Sequence, residues 1–194
     1  MQAPPKQEPG HFHAVRFYKD SESLCRIVGS FLKEGFAESQ PAVVIATAAH
    51  QRMIATCLEA DGLDVDKLKA TGQLVVYDAQ MVLSQFMVDG MPNAARFKSA
   101  VAPLLQKACK GKTDCVVRAY GEMVDVLWKK GQTAAATRLE MLWNKLAQTE
   151  AFSLLCGYAM GNFYKDGAIE DICSHHSHVL GDPPGSVDAA AVQH

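Results

Sequence analysis

The sequence lacks most of the features that would assign it a chemistry at sight. No run of about eighteen apolar residues exists, so no transmembrane helix is expected. The opening MQAPPKQEPG is polar and Pro-rich and has no apolar core of a secretory signal. The formal net charge is only -2, which gives no electrostatic reason to bind nucleic acid or an acidic membrane surface. Six cysteines are scattered without a Cys-x-x-Cys pair, and the expectation is reduced, mostly buried thiols in a cytoplasmic protein. A phosphate loop is missing as well. The first strongly buried strand is followed by Ala46-Thr-Ala-Ala-His50-Gln-Arg52, with neither the Gly that lets a backbone approach phosphates nor the Lys that neutralises them. Gly111-Lys112-Thr113 imitates the end of such a loop, but Gln106 stands where its first Gly belongs, and the segment follows a helix instead of a strand. No Gly-x-Ser-x-Gly elbow appears. Cys156 sits in an apolar run, where burial disfavours a reactive thiolate. Catalysis is therefore not expected.

What the chain has is apolar patterning. Hydrophobic residues make up 48% of 194, enough for one sizeable core. Residues 1–10 read as a disordered leader, 11–180 as one domain, and 181–194 as a disordered tail. His11 to Tyr18 reads as a strand, with Asp20 or Ser21 capping a helix whose stripe is Leu24, Ile27, Val28, Phe31 and Leu32. Gly35 fits the end of that helix. Pro41 to Thr47 is a continuous β-branched run typical of a strand buried on both faces. A helix over His50 to Ala60, a strand over Gln73 to Tyr77, and helical runs from Met81 and from Asn93 to Lys110 follow, with Pro103 a kink or break. Cys115-Val116-Val117 reads as a strand delivering Arg118, and Ala151 to Tyr158 as another. A short helical segment spans Ile169 to His178. This alternation implies right-handed crossovers, a mostly parallel sheet and a three-layer α/β/α fold.

Parallel strands bring their carboxyl ends to one edge, and open α/β sheets bind ligands there. The residues expected at that edge are Tyr18, Thr47, His50, Asp78, Arg118 with Glu122, and Tyr158. His13, Tyr120, Trp128 and Asn144 complete the candidate ligand-binding set. Trp128 and Trp143 fall on apolar helical stripes, so core packing is their default, with Asn144 a neighbour for an indole donor. Metal ligation has weaker support. Cys173 and His176 have helical spacing, and His178 is near, but the pattern fits no standard zinc finger. No metal and no cofactor is expected.

Several blocks together carry a resemblance. They are His13-x-Val15-x-Phe17-Tyr18, then Ala46-Thr47-x-x-His50, then Arg118-x-Tyr120-Gly-Glu-Met-Val124 with Leu127-Trp128. Leu139-Glu140-x-Leu142-Trp143-Asn144, Leu154-Leu155-Cys156-x-Tyr158 and Ile172-Cys173 with His176-Ser-His-Val179 extend them. The chain resembles the MEDS domain, the methanogen/methylotroph DcmR-type sensory domain, over roughly His11 to Leu180. The resemblance implies a fold like the RecA/KaiC ATPase core with a degenerate phosphate loop. It also implies a non-enzymatic sensory or regulatory role in prokaryotic signal transduction, with a small organic ligand such as a halogenated or methylated one-carbon compound. The partner implied is a separate histidine kinase or transcription regulator, and the expected oligomer is a homodimer. Two alternatives stand beside this reading: an interaction module for a histidine kinase or anti-sigma-type partner that binds no ligand, and a metal-dependent enzyme using the His-rich segments.

Overall fold

The structure is a computed structural model that describes residues 12–112 and 114–162 and the short strand at 178–179. In chain order the elements are β1 (His13–Tyr18), α1 (Ser21–Ala37), β2 (Ala42–Ala46), α2 (Ala48–Ala60), α3 (Val65–Ala70) and β3 (Leu74–Asp78). Next come α4 (Ala79–Phe86), the two-residue strands β4 (Met87–Val88) and β5 (Met91–Pro92), and α5 (Ala94–Cys109). The chain continues with β6 (Val117–Gly121), α6 (Met123–Lys129), α7 (Thr133–Leu146), β7 (Phe152–Ala159) and β8 (His178–Val179). The expected leader and tail, Cys173 and His176 lie outside the described residues, as does the side chain of His178.

Six strands form one sheet in the order β3-β2-β6-β7-β1-β8, and every pairing is parallel. Helices α1 to α3 bury their apolar stripes on one face, with Leu24, Val28, Leu32, Ile54 and Leu58 against Val44 and Leu155. Helices α4 to α7 cover the other face around Phe86, Phe97, Leu139, Trp143 and Phe152. This is the three-layer α/β/α architecture. β2 is buried along its whole length, which is why its sequence is an uninterrupted Ala-Val-Val-Ile-Ala run.

The helices begin where short polar side chains satisfy orphan backbone donors. Asp20 caps α1 in a reciprocal capping box with Ser23, and Asp64, Asp78 and Asn93 cap α3, α4 and α5. Pro103 is accommodated inside α5 without ending it.

Three sequence expectations need correction. Cys115 to Val117 is not the strand: β6 starts at Val117, so Arg118 lies near its amino end, away from Glu122. Gly35 does not end α1, which runs on to Ala37. Gly35 instead makes room for the Arg118 side chain, which a Cβ there would strike. Four of the cysteines are also paired. Cys25 and Cys57 face one another between α1 and α2 with Cα atoms 6.1 Å apart, and Cys109 and Cys115 are joined as a disulfide with Cα atoms 5.7 Å apart. The packing of α1 on α2 creates the first pair across 32 residues, a separation that no spacing pattern announces.

Candidate functional site at the carboxyl edge

Sheet topology selects one crevice. From β2 the chain continues to β3 on one side, whereas from β6 it continues to β7 on the other, although β2 and β6 are neighbours. Such a reversal of winding opens a gap at the carboxyl ends of the two strands. Here the switch point lies beyond Ala46 and Gly121, where the chain places Thr47, His50 and Glu122.

The first turn of α2 presents backbone donors that no helical carbonyl satisfies. Thr47 is its cap by position, yet its side chain makes no capping bond. The carboxylate of Glu122, arriving from the end of β6, takes that place: its Oε1 accepts from the Thr47 N–H. Its Oε2 lies 2.5 Å from His50 Nδ1, one turn into α2. Glu122 is 1% exposed, so the carboxylate is held by these partners and by the favourable end of the helix dipole. This explains the missing phosphate loop in physical terms. In a phosphate-binding fold the same helix start receives an anion from outside. A phosphate charge within 4 Å of Glu122 would meet repulsion on the order of 4 kcal/mol at an effective dielectric of 20.

A second cluster adjoins the first. Tyr18, the last residue of β1, donates its hydroxyl to Asp125 Oδ2 at 2.9 Å. Asp125 Oδ1 accepts from the Ala159 N–H at the end of β7 at 3.1 Å, and Lys129 Nζ reaches Asp125 Oδ2 at 2.6 Å from one turn along α6. The Tyr18 ring meets the His50 ring edge to face with centroids 6.0 Å apart, which joins the two clusters. Burial, reinforced by the Asp125 charge, pushes the Tyr18 phenol well above its usual range. It therefore stays a hydrogen-bond donor at any physiological pH. Lys129 is half exposed and brings the only cation of the cluster among the described residues to the surface.

The sequence placed Tyr18, Thr47, His50 and Glu122 at one edge, and the structure brings these four together. Asp125 and Lys129 were missed. Their signals were an acid inside the apolar run Met-Val-Asp-Val-Leu-Trp and an acid–base spacing of i, i+4. Asp78 also reaches the carboxyl edge, level with Ala46, but neither it nor the remaining candidates join these clusters. Arg118 is buried near the amino end of β6, donating to Gln40 Oε1 at 2.7 Å and lying over the rings of Phe31 and Phe12. Asp78 ends β3 and caps α4 by accepting from the Met81 N–H. Trp128 packs edge-on against Tyr158 in the core, and Trp143 against Phe97 and Phe152. Tyr120 is fully buried, and its hydroxyl has no hydrogen-bond partner among the described residues. His13, Asn144 and Tyr158 belong to a separate cluster under α7, where Asn144 accepts from His13.

Two hollows lie away from this edge. One of about 430 Å³ at the amino side is lined by Gln40, Thr71, Gln73, Lys110 and Lys112. Another of about 440 Å³ lies between α5 and α7, lined by Phe97, Lys98, Leu142 and Leu146. The first also carries Glu38 and Asp114 and is the more polar of the two, whereas the second is mainly apolar. Lys112 borders the first hollow, beyond the amino ends of the strands.

Residues 12–177 match the family model described as MEDS: methanogen/methylotroph, DcmR sensory domain. The chain belongs to this family. No curated protein matches it. As a MEDS domain it falls in a family of sensory domains of signal transduction, and the matched span takes in the whole sheet as far as the end of β7 and every helix around it. Among the described residues no helix is long and apolar enough to cross a membrane.

Proposed function

We propose that this MEDS domain binds a small organic molecule at the carboxyl edge of its sheet, without turning it over, and signals occupancy to a separate partner protein. The observation that carries the reading is the Glu122 carboxylate seated at the start of α2. It links the end of β6 to α2, so a ligand that competes for the Glu122 or His50 hydrogen bonds shifts the helix relative to the sheet. The Tyr18–Asp125–Lys129 cluster ties the ends of β1 and β7 to the same edge, which gives a ligand contacts on four elements. A phenol, an imidazole, a carboxylate and an ammonium suit a compact ligand with one polar group, such as a halogenated or methylated one-carbon compound. The expected partner is a histidine kinase or a transcription regulator.

The test is a thermal melt of the purified protein against a panel of one-carbon halides, alcohols and amines. At least one raises the melting temperature, and Glu122→Gln removes the shift while the protein remains folded. Absence of any shift across the panel, or a shift retained in full by Glu122→Gln, contradicts the reading.

A second reading, an interaction module that binds no ligand, draws on three exposed methionines: Met81 on α4, Met91 in β5 and Met141 on α7. It predicts no small-molecule shift and a stable complex with a purified kinase that Met91→Glu with Met141→Glu disrupts.

A further inference from the structure

Between the sheet and α7 lies a second polar cluster that the carboxyl-edge site does not use. His13 of β1, Cys156 of β7 and Glu140 of α7 are 6%, 0% and 0% exposed. Parallel pairing sets Val15 beside Cys156, and alternation puts His13 and Cys156 on the face that α7 covers. His13 Nε2 lies 3.1 Å from Glu140 Oε2 and 3.3 Å from Cys156 Sγ, and that sulfur lies 3.5 Å from the same carboxylate oxygen. Three different donor atoms thus form a nearly equilateral triangle, buried and pointed at a common centre.

We propose that His13, Glu140 and Cys156 form a binding site for one divalent cation of the zinc class. Three observations support it. The first is size. With bonds of about 2.0 Å to nitrogen and oxygen and about 2.3 Å to sulfur, tetrahedral ligands stand roughly 3.3 to 3.5 Å apart. The triangle has edges of 3.1, 3.3 and 3.5 Å.

The second is the support behind each ligand. His13 Nδ1 donates to Asn144 Oδ1 at 2.8 Å, which leaves the Nε2 lone pair facing the centre. The Tyr158 hydroxyl donates to Glu140 Oε1 at 2.7 Å, which leaves Oε2 facing it too. A ring N–H given to an outer acceptor and a hydrogen-bonded ligating carboxylate are the usual surroundings of a metal ligand.

The third is electrostatic. With Nδ1 as donor, the Nε2 lone pair and the Glu140 oxygen face one another at 3.1 Å, and something positive must lie between them. A proton on His13 and the thiol proton that Cys156 donates to Glu140 would serve two edges of the triangle, whereas a divalent ion serves all three. A mixed nitrogen, oxygen and sulfur set suits zinc and its cobalt analogue better than magnesium or calcium, which prefer oxygen alone. The proposal departs from the expectation that the chain binds no metal, and it is independent of the carboxyl-edge reading.

Cobalt is the probe that tests it. The full chain, stripped with a chelator, is titrated with cobalt(II) under anaerobic conditions and followed by absorption, with elemental analysis of the protein as purified. The expected result is one equivalent bound per chain, with a thiolate-to-cobalt charge-transfer band and the visible bands of a tetrahedral ion, both displaced by zinc. Cys156→Ser loses the charge-transfer band, and Glu140→Gln, which keeps the shape of the side chain, loses tight binding. Asn144→Ala weakens the affinity by about 10- to 100-fold. Absence of the charge-transfer band in the wild-type protein overturns the proposal, since that readout does not depend on any variant folding. Persistence of the band in Cys156→Ser overturns it equally, by assigning the signal to another cysteine.

Discussion

Arg118 separates a structural account of this domain from a purely sequence-based one. It is a charged residue close in sequence to the site, yet it holds the amino end of the sheet. The residue is 7% exposed, and its guanidinium donates to Gln40 and lies 5.1 and 5.7 Å from the ring centres of Phe31 and Phe12. Its stem fills the space left by Gly35. Arg118→Ala removes two buried methylenes at about 0.8 kcal/mol each. It also removes a charge-assisted hydrogen bond of about 1.5–3 kcal/mol and cation–π attraction of about 0.5–2 kcal/mol. The ion pairs to Glu34 and Glu38, whose side chains are 64% and 60% exposed, contribute little. These contributions overlap, and the relief of desolving a buried charge offsets part of them. The expected net loss is about 3–4 kcal/mol, or a melting temperature lower by on the order of 10 °C in a domain of this size. Arg118→Met, which keeps the stem, recovers roughly half of the loss. Urea denaturation gives the free energies, and a ligand-shift measurement on the same samples gives the functional arm. A loss below 1 kcal/mol, or a selective loss of ligand response at unchanged stability, would refute the assignment of Arg118 as a structural residue.

Other substitutions probe the packing and the titration of the edge. Tyr120→Phe deletes a buried hydroxyl that has no partner among the described residues, so stability should hold or rise by about 1 kcal/mol; a loss of that size would reveal a partner. Gly157→Ala places a Cβ 2.9 Å from that hydroxyl and should cost about 1–3 kcal/mol, part of which Tyr120→Phe restores in a double-mutant cycle. Tyr18, Tyr120 and Tyr158 all have phenols pushed upward, mainly by burial. The folded chain holds these protons while the unfolded chain releases them, so their contribution is complete below about pH 10 and lost as the pH rises above it. The slope is about 1.4 kcal/mol per pH unit for each phenol, and Tyr18→Phe should lessen it by one such increment in alkaline melts.

Much of the fold could be read from local pattern because its central strands are buried on both faces. β2 and β3 are apolar runs bounded by turns, and the stripe of α1 with its Asp20 cap is plain in the sequence. β6 was placed too early because Cys115-Val116-Val117 is the more apolar stretch, while the true strand contains an arginine and a glycine. That arginine is tolerated only because α1 supplies Gly35 and the residues before β2 supply Gln40, neither of which is near it in sequence. The edge site was legible where residues end strands, as Tyr18, Thr47 and Glu122 do. Asp125 and Lys129 escaped because they sit one turn into a helix that reads as core. Glu140 escaped for the same reason: its partners, His13 and Cys156, come from strands that tertiary pairing alone makes neighbours.

The most direct test of a ligand site at the carboxyl edge is a two-dimensional amide NMR titration with the compound that gives the largest thermal shift. The account predicts that the Thr47 and Ala159 amides, which donate to Glu122 and Asp125, move first and in proportion to occupancy, while the Arg118 side-chain Nε–H stays in place. Unmoved Thr47 and Ala159 signals, with shifts centred on Arg118 or on the groove between α5 and α7, would contradict it.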